Sequence, residues 1–181
     1  DKIVVQTKVP PQADADEFAR HVEDSIDRLG LEYIDLLGLH GINTHELFWW
    51  STRENGCLAA ARELQRQGKV CHVGFSTHAP LDVMLAAIAH EGDGGFDYVN
   101  LHWYFIRQEN WPAVEAAHRA DMGVFIISPS DKGGMLYKPP PKLVELCQPL
   151  HPIVFNCLFC LSHPEVSTLS LGAARPSDFE L

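Results

Sequence analysis

The chain has 181 residues, 46% hydrophobic and 21% charged, the make-up of one globular domain able to bury a sizeable core. Its 24 acidic and 14 basic side chains leave a net charge of -10 that repels a phosphate backbone, with no Lys/Arg cluster set against it, which argues against nucleic acid as a partner. No apolar run approaches the ~20 residues needed to span a bilayer, so no membrane partner is expected, and five irregularly spaced cysteines suit a reducing, cytoplasmic compartment rather than a disulfide framework.

Asp1 opens directly onto a strand-like segment with neither a methionine nor a basic leader, so the N-terminus is expected to be a cut one. Residues 2–7 (KIVVQT) are short and β-branched and run into Lys8 and the breaker pair Pro10-Pro11, which predicts a buried strand with a cation at its C-terminal end. From Asp14 the pattern turns helical. Phe18, Val22, Ile26 and Leu29 recur at three- and four-residue steps, acidic residues crowd the first turn, and Gly30 follows as a stop.

Residues 34–40 (IDLLGLH) form an almost unbroken apolar run, as a strand buried on both faces requires, and it ends abruptly at His40. The connection that follows reads as a long loop carrying Phe48, Trp49 and Trp50, an aromatic group suited either to walling a pocket or to packing on a rim. Residues 58–67 are a second amphipathic helix closed by Gly68, and residues 70–75 (VCHVGF) a second buried strand that ends at Ser76-Thr77. A third helix over residues 81–90 precedes the strand 98–101 (YVNL), which delivers Asn100 near its end and is followed by His102.

Residues 111–120 are again helical and lead through Gly123 into a strand at 124–127 (VFII). That strand ends at Ser128-Pro129-Ser130 and the Gly133-Gly134 pair, a polar, glycine-rich loop of the kind that suits phosphates or a substrate carbonyl. Pro139 to Pro141 predict an extended connection, residues 153–161 a short apolar helix, and residues 166–171 a last strand ending at Gly172.

Lys8, His40, Ser76, Asn100, Ser128 and Gly172 thus mark successive strand ends 24 to 44 residues apart, with a helix-like segment in every gap. This β-α alternation needs a parallel sheet with helical crossovers. Polar side chains always at the same end favour a (β/α)8 TIM-type barrel over a doubly wound sheet, with about six βα units of the eight present and two expected upstream.

Several of these stretches resemble one family. Residues 5–8 (VQTK), 25–37 (SIDRLGLEYIDLL) with His40, 67–76 (QGKVCHVGFS), 96–104 (FDYVNLHWY), 126–129 (IISP) and 171–173 (LGA) are similar, in this order, to the aldo-keto reductase barrel from its third strand to its eighth. The loop 131–136 (DKGGML) looks most like a bacterial branch of such oxidoreductases. The resemblance implies reduction of an aldehyde or ketone by hydride from a nicotinamide, with acid catalysis by a tyrosine, lysine, aspartate and histidine. Lys8 and His40 match the lysine and histidine, whereas the aspartate and tyrosine belong to a preceding segment that these residues lack.

The resemblance also implies where the cofactor lies. Ser76, Thr77 and Asn100 would hold the nicotinamide carboxamide, Ser128, Pro129 and Ser130 the pyrophosphate, and Gly172, Ala173, Arg175 and Ser177 the adenosine phosphate end. Thr77 stands where an asparagine is usual, Asn100 replaces a glutamine, and Ile127 occupies the place of an aromatic. Arg175 is the cation nearest a 2′-phosphate, so NADP(H) is expected in preference to NAD(H). Trp49, Trp50 and His102 are candidates for lining the pocket of a small carbonyl substrate.

Cys157 and Cys160 have metal-like spacing but sit in an apolar helix without a second pair, so they read as core cysteines and no metal is expected. Some relatives of the bacterial branch carry an iron-sulfur module after the barrel. Two other functions remain open on the same barrel: a nucleotide-binding regulatory subunit, and a truncated barrel completed by a partner. The oligomeric state is not legible.

Overall fold

A computed structural model describes residues 3–180. Six strands, β1 (Gln6–Val9), β2 (Ile34–His40), β3 (Val70–Ser76), β4 (Tyr98–Leu101), β5 (Gly123–Ile127) and β6 (Thr168–Ser170), lie side by side in chain order, and every neighbouring pair is parallel. A doubly wound sheet reverses its strand order about its first strand, whereas an unreversed run of right-handed crossovers curls into an arc of a barrel. Around it run α1 (Ala15–Leu29), α2 (His45–Thr52), α3 (Cys57–Arg66), α4 (Leu81–Ile88), α5 (Trp111–Arg119), α6 (Pro141–Cys147) and α7 (Pro152–Leu161). Among the described residues no single helix is long and apolar enough to cross a membrane.

Local chemistry explains the elements. Asp14 caps α1 by accepting a hydrogen bond from the Asp16 amide at 2.9 Å, and Gly30 ends the helix at φ 66°. Between them Phe18, Val22 and Ile26 are buried against the sheet; Leu29, expected on the same stripe, is half exposed because the chain turns outward there. Leu37, Leu39, Val73, Phe75, Val99 and Val124 are fully buried between the barrel interior and the helices.

Four elements differ from the pattern of the sequence. The expected loop after β2 contains helix α2, whose cap is the Thr44 hydroxyl accepting from the Leu47 amide at 3.2 Å; its aromatics point to several sides, so no apolar stripe betrayed it. Of the first predicted strand, Lys2 lies outside the described residues, Ile3 and Val4 are largely exposed, and pairing begins at Gln6. Pro141 does not prolong an extended connection but opens α6, a position where a missing N–H costs nothing. The last strand shrinks to Thr168–Ser170.

One row across the sheet sets the width of the interior. Lys8 is in register with Gly38, Gly38 with Gly74, Gly74 with Tyr98, and Tyr98 with Gly123. A Cβ on Gly74 would lie 2.4 Å from the Tyr98 carbonyl oxygen and 2.5 Å from its ring. A Cβ on Gly38 would meet Cγ of Lys8 at 3.0 Å and the Tyr98 hydroxyl at 3.3 Å. The two glycines therefore make the space through which the Lys8 stem and the Tyr98 ring run.

Candidate active site

The C-terminal strand ends converge. Lys8 from β1, His40 from β2, Ser76 from β3, Ser128 and Ser130 after β5, and Gly172 after β6 line a single cavity of about 380 Å³, joined by His78 and Lys132. Lys8 is half-buried, and that burial pushes its ammonium below the usual lysine range; among the described residues no carboxylate lies within ion-pair distance of it. His40 is lowered as well, by burial first and then by the positive charge of Lys8. A neutral imidazole beside an ammonium can still donate one N–H to an oxygen.

Not every strand-end group opens into this space. Ser76 lines it but also accepts from the Gly41 amide at 3.0 Å through its hydroxyl, tying β3 to the turn after β2. Thr77 is fully buried, donating to the Ile42 carbonyl at 2.8 Å and accepting from the Ala79 amide at 3.0 Å. Asn100 is buried too. Its amide exchanges hydrogen bonds of 3.3 and 3.1 Å with Gln6 across the barrel interior. Trp49 stands on α2 with Arg53 stacked 4.7 Å over its ring and is 55% exposed; neither it nor Trp50 lines the cavity. His102 lines an adjoining groove instead.

The loop after β5 is held in an unusual conformation by residues the sequence reading did not single out. Ser128 and Asp131 have φ of 54° and 59°, and Gly133 and Gly134 both 73°. Asp131 anchors the turn: its carboxylate accepts from the Tyr104 hydroxyl at 2.9 Å, Arg107 Nε at 3.1 Å and the Lys132 amide at 2.8 Å. Burial alone would raise its pKa, but these three donors outweigh burial and hold it below the ordinary carboxylate range. Buried Asn156 on α7 donates to the Pro129 carbonyl and accepts from the Phe105 amide at 3.0 Å, so the loop is clamped from both sides. Only the turn composition of 131–134 hinted at this, because Tyr104, Arg107 and Asn156 reach it from distant parts of the chain.

A second cavity of about 720 Å³ continues from the first, sharing Ser130, Gly133, Gly134 and Gly172 and extending to Ala173 and Arg175. Tyr137 donates its hydroxyl to the Gly172 carbonyl at 2.8 Å, joining the two loops. At its far end Arg175 pairs with Asp178 at 3.2 Å while remaining largely exposed; Ser177 lies just beyond on the surface. Nothing stands within 4 Å of where a Cβ would sit on Gly133 or Gly172, so the backbone is bare on this side. Bare, positive-φ backbone with flanking hydroxyls and a terminal cation fits a phosphate-bearing, extended ligand.

The sequence pattern of the Aldo/keto reductase family matches residues 1–140. This chain belongs to the aldo/keto reductase family. Its fold matches aldo-keto reductase AKR11C1 from Bacillus halodurans in the holo form, with a TM-score of 0.79 and 20% identity over 98% of this chain and 65% of that one. The apo form of the same protein matches at a TM-score of 0.70 and 21% identity, over 98% and 63% of the two chains. Such identities speak for the fold alone, and the chain spans under two thirds of the length of these structures. No curated protein matches the sequence. The strand-end cavity lies at the edge where active sites are found in (β/α)8 barrels.

Proposed function

We propose that this chain forms the cofactor-holding side of a reductase that converts an aldehyde or ketone to an alcohol using NADPH in preference to NADH. The observation that supports it best is the shared cavity of Lys8 and His40, continuous with the clamped loop 128–134 and the Gly172 turn. A bound nicotinamide would supply hydride to the carbonyl carbon. In this reading Ser76, Ser128 and Ser130 orient the ligand, the loop backbone holds its pyrophosphate, and Arg175 meets the adenosine phosphate end. Asn100 and Thr77 act one step behind, keeping Gln6 and the β3 turn in place.

The carbonyl oxygen gathers negative charge as the carbon accepts hydride and must receive a proton. His40 donates a hydrogen bond to that oxygen. Lys8 stabilises the conjugate base of the acid that protonates it: a phenol with pKa near ~10 is a poor acid at neutral pH unless a cation stands beside it. Tyr98 is not that acid. Its hydroxyl is buried beneath the Lys8 stem, and burial drives its pKa upward, away from the working range. We infer that the tyrosine, and the carboxylate that would keep Lys8 charged, come from polypeptide outside residues 1–181.

Titration with NADPH and NADH, followed by quenching of the four tryptophans, tests this. Binding of NADPH about tenfold tighter than NADH, with the preference lost in Arg175→Ala, is the expected result; a 2′-phosphate contact of that strength corresponds to ~1.4 kcal/mol. Absence of binding by either dinucleotide refutes the reading.

A further inference from the structure

Outside the cavity just described lies a groove of about 540 Å³ between the strand ends of β3 and β4, and His78 and Lys132 line both spaces. The groove presents donors. His78 and His102 meet edge to face with ring centroids 4.3 Å apart, and Nε2 of His102 is buried without a hydrogen-bond partner. Among the described residues the Lys132 ammonium makes no ion pair, and α4, whose start at Leu81 borders the groove, has no side chain capping its first amides. Glu109 is the one carboxylate among the described residues that line it, and Arg107 is already engaged by Asp131. Two imidazoles without a third ligand do not make a metal site, and no group of metal-binding side chains occurs among the described residues. A ligand group that accepts hydrogen bonds from several directions and donates none is an oxyanion.

We propose that this groove is an oxyanion subsite, and that the carbonyl compound handled at the adjoining Lys8–His40 cavity carries a phosphate or carboxylate that seats between His78, His102 and Lys132. The second clause rests on the reductase reading above; the first does not. The electrostatics agree with the geometry. Burial is the main cause holding His78 below its ordinary range, followed by Lys132, His40 and Lys8. His102 is pushed down to about 4 by burial, then by His78, Lys132 and Arg107, with Asp131 pulling the other way. Both rings are therefore neutral at pH 7, and an anion between them would favour their charged forms and raise both pKa values.

The test follows the ring Cε1–H signals of His78 and His102 by NMR as inorganic phosphate is added at constant ionic strength, with exposed His118 as internal control. The expected result is a saturable shift at His78 and His102 alone and an upward move of their apparent pKa by roughly one unit. Lys132→Gln should weaken phosphate about tenfold, the loss of one charge-assisted contact. A parallel titration with acetate identifies the preferred anion by which of the two binds more tightly. Equal shifts with chloride, no shift at all, or undiminished affinity in Lys132→Gln would overturn the subsite. So would displacement of phosphate by saturating NADPH, since the groove would then belong to the dinucleotide track. Phosphate binding retained in a protein that fails to bind NADPH sinks the reductase reading and leaves the subsite standing.

Discussion

At the end of the sheet where strands begin, Arg62 on α3 grips both oxygens of Asp97 at 2.8 and 2.9 Å and the Gly95 carbonyl at 2.8 Å, while Asp97 also accepts from the Val73 amide at 2.7 Å. At the end where strands finish, Lys8, His40, His78 and Lys132 gather around a cavity, and none of the four has a carboxylate within ion-pair distance among the described residues. The first rim closes on the Arg62–Asp97 pair, whereas the second holds the Lys8 and Lys132 ammonium groups with no carboxylate paired to either among the described residues. The difference fits stability at the first rim and the proposed ligand binding at the second, because unpaired charge persists where the surrounding structure supports it and a ligand gives it a use.

The comparison breaks most severely at Lys8. In the catalytically complete enzyme Lys8→Met should lower kcat by about 10²- to 10⁴-fold, the usual worth of acid–base assistance, while leaving the chain folded, since methionine fills the space of the lysine stem beside Gly38. Steady-state kinetics and calorimetry on the same sample check both halves. A variant that loses activity and unfolds together would mean that Lys8 belongs to the structural rim.

Arg62→Ala should behave in the opposite sense. It leaves Asp97 without its cation and frees the Gly95 carbonyl, at a cost of about 2–3 kcal/mol. Urea denaturation should show a lower midpoint at unchanged slope, with NADPH affinity preserved in the protein that remains folded.

The smallest effect is expected from acid, and it is local. Asp131 is depressed below its unfolded value, so its contribution is present above a pH of about 4, the unfolded carboxyl pKa, and is lost as pH falls through its lower folded value. Hydrogen exchange should therefore speed up first in the loop 128–137 as pH drops below about 4, while strands β2 and β3 stay protected. Exchange that accelerates evenly across the chain would remove the distinction between a tethered binding loop and a rigid sheet.

Much of this architecture was legible beforehand because it depends on short-range pattern. The apolar run at Ile34–His40, the stripe of Phe18, Val22 and Ile26, and the polar residue closing each strand state the element types directly. Their repetition fixes a parallel sheet, and with it the convergence of Lys8 and His40. Helix α2 was missed because its aromatic residues do not share one face, and the end strands were drawn too long because β-branched composition does not reveal where a pairing partner stops.

From the sequence alone, then, come the order of the strands, the helices with an apolar stripe, and the rim on which Lys8, His40, Ser76 and Ser128 stand, since periodicity and strand direction are local properties of the chain. What a given polar group does once there was decided only by tertiary structure. Asn100 turned inward to Gln6, Asp131 was taken by Tyr104 and Arg107, and His78 came against His102. Such partners lie tens of residues apart, and a hydrogen bond depends on separations of tenths of an ångström that no spacing along the chain encodes.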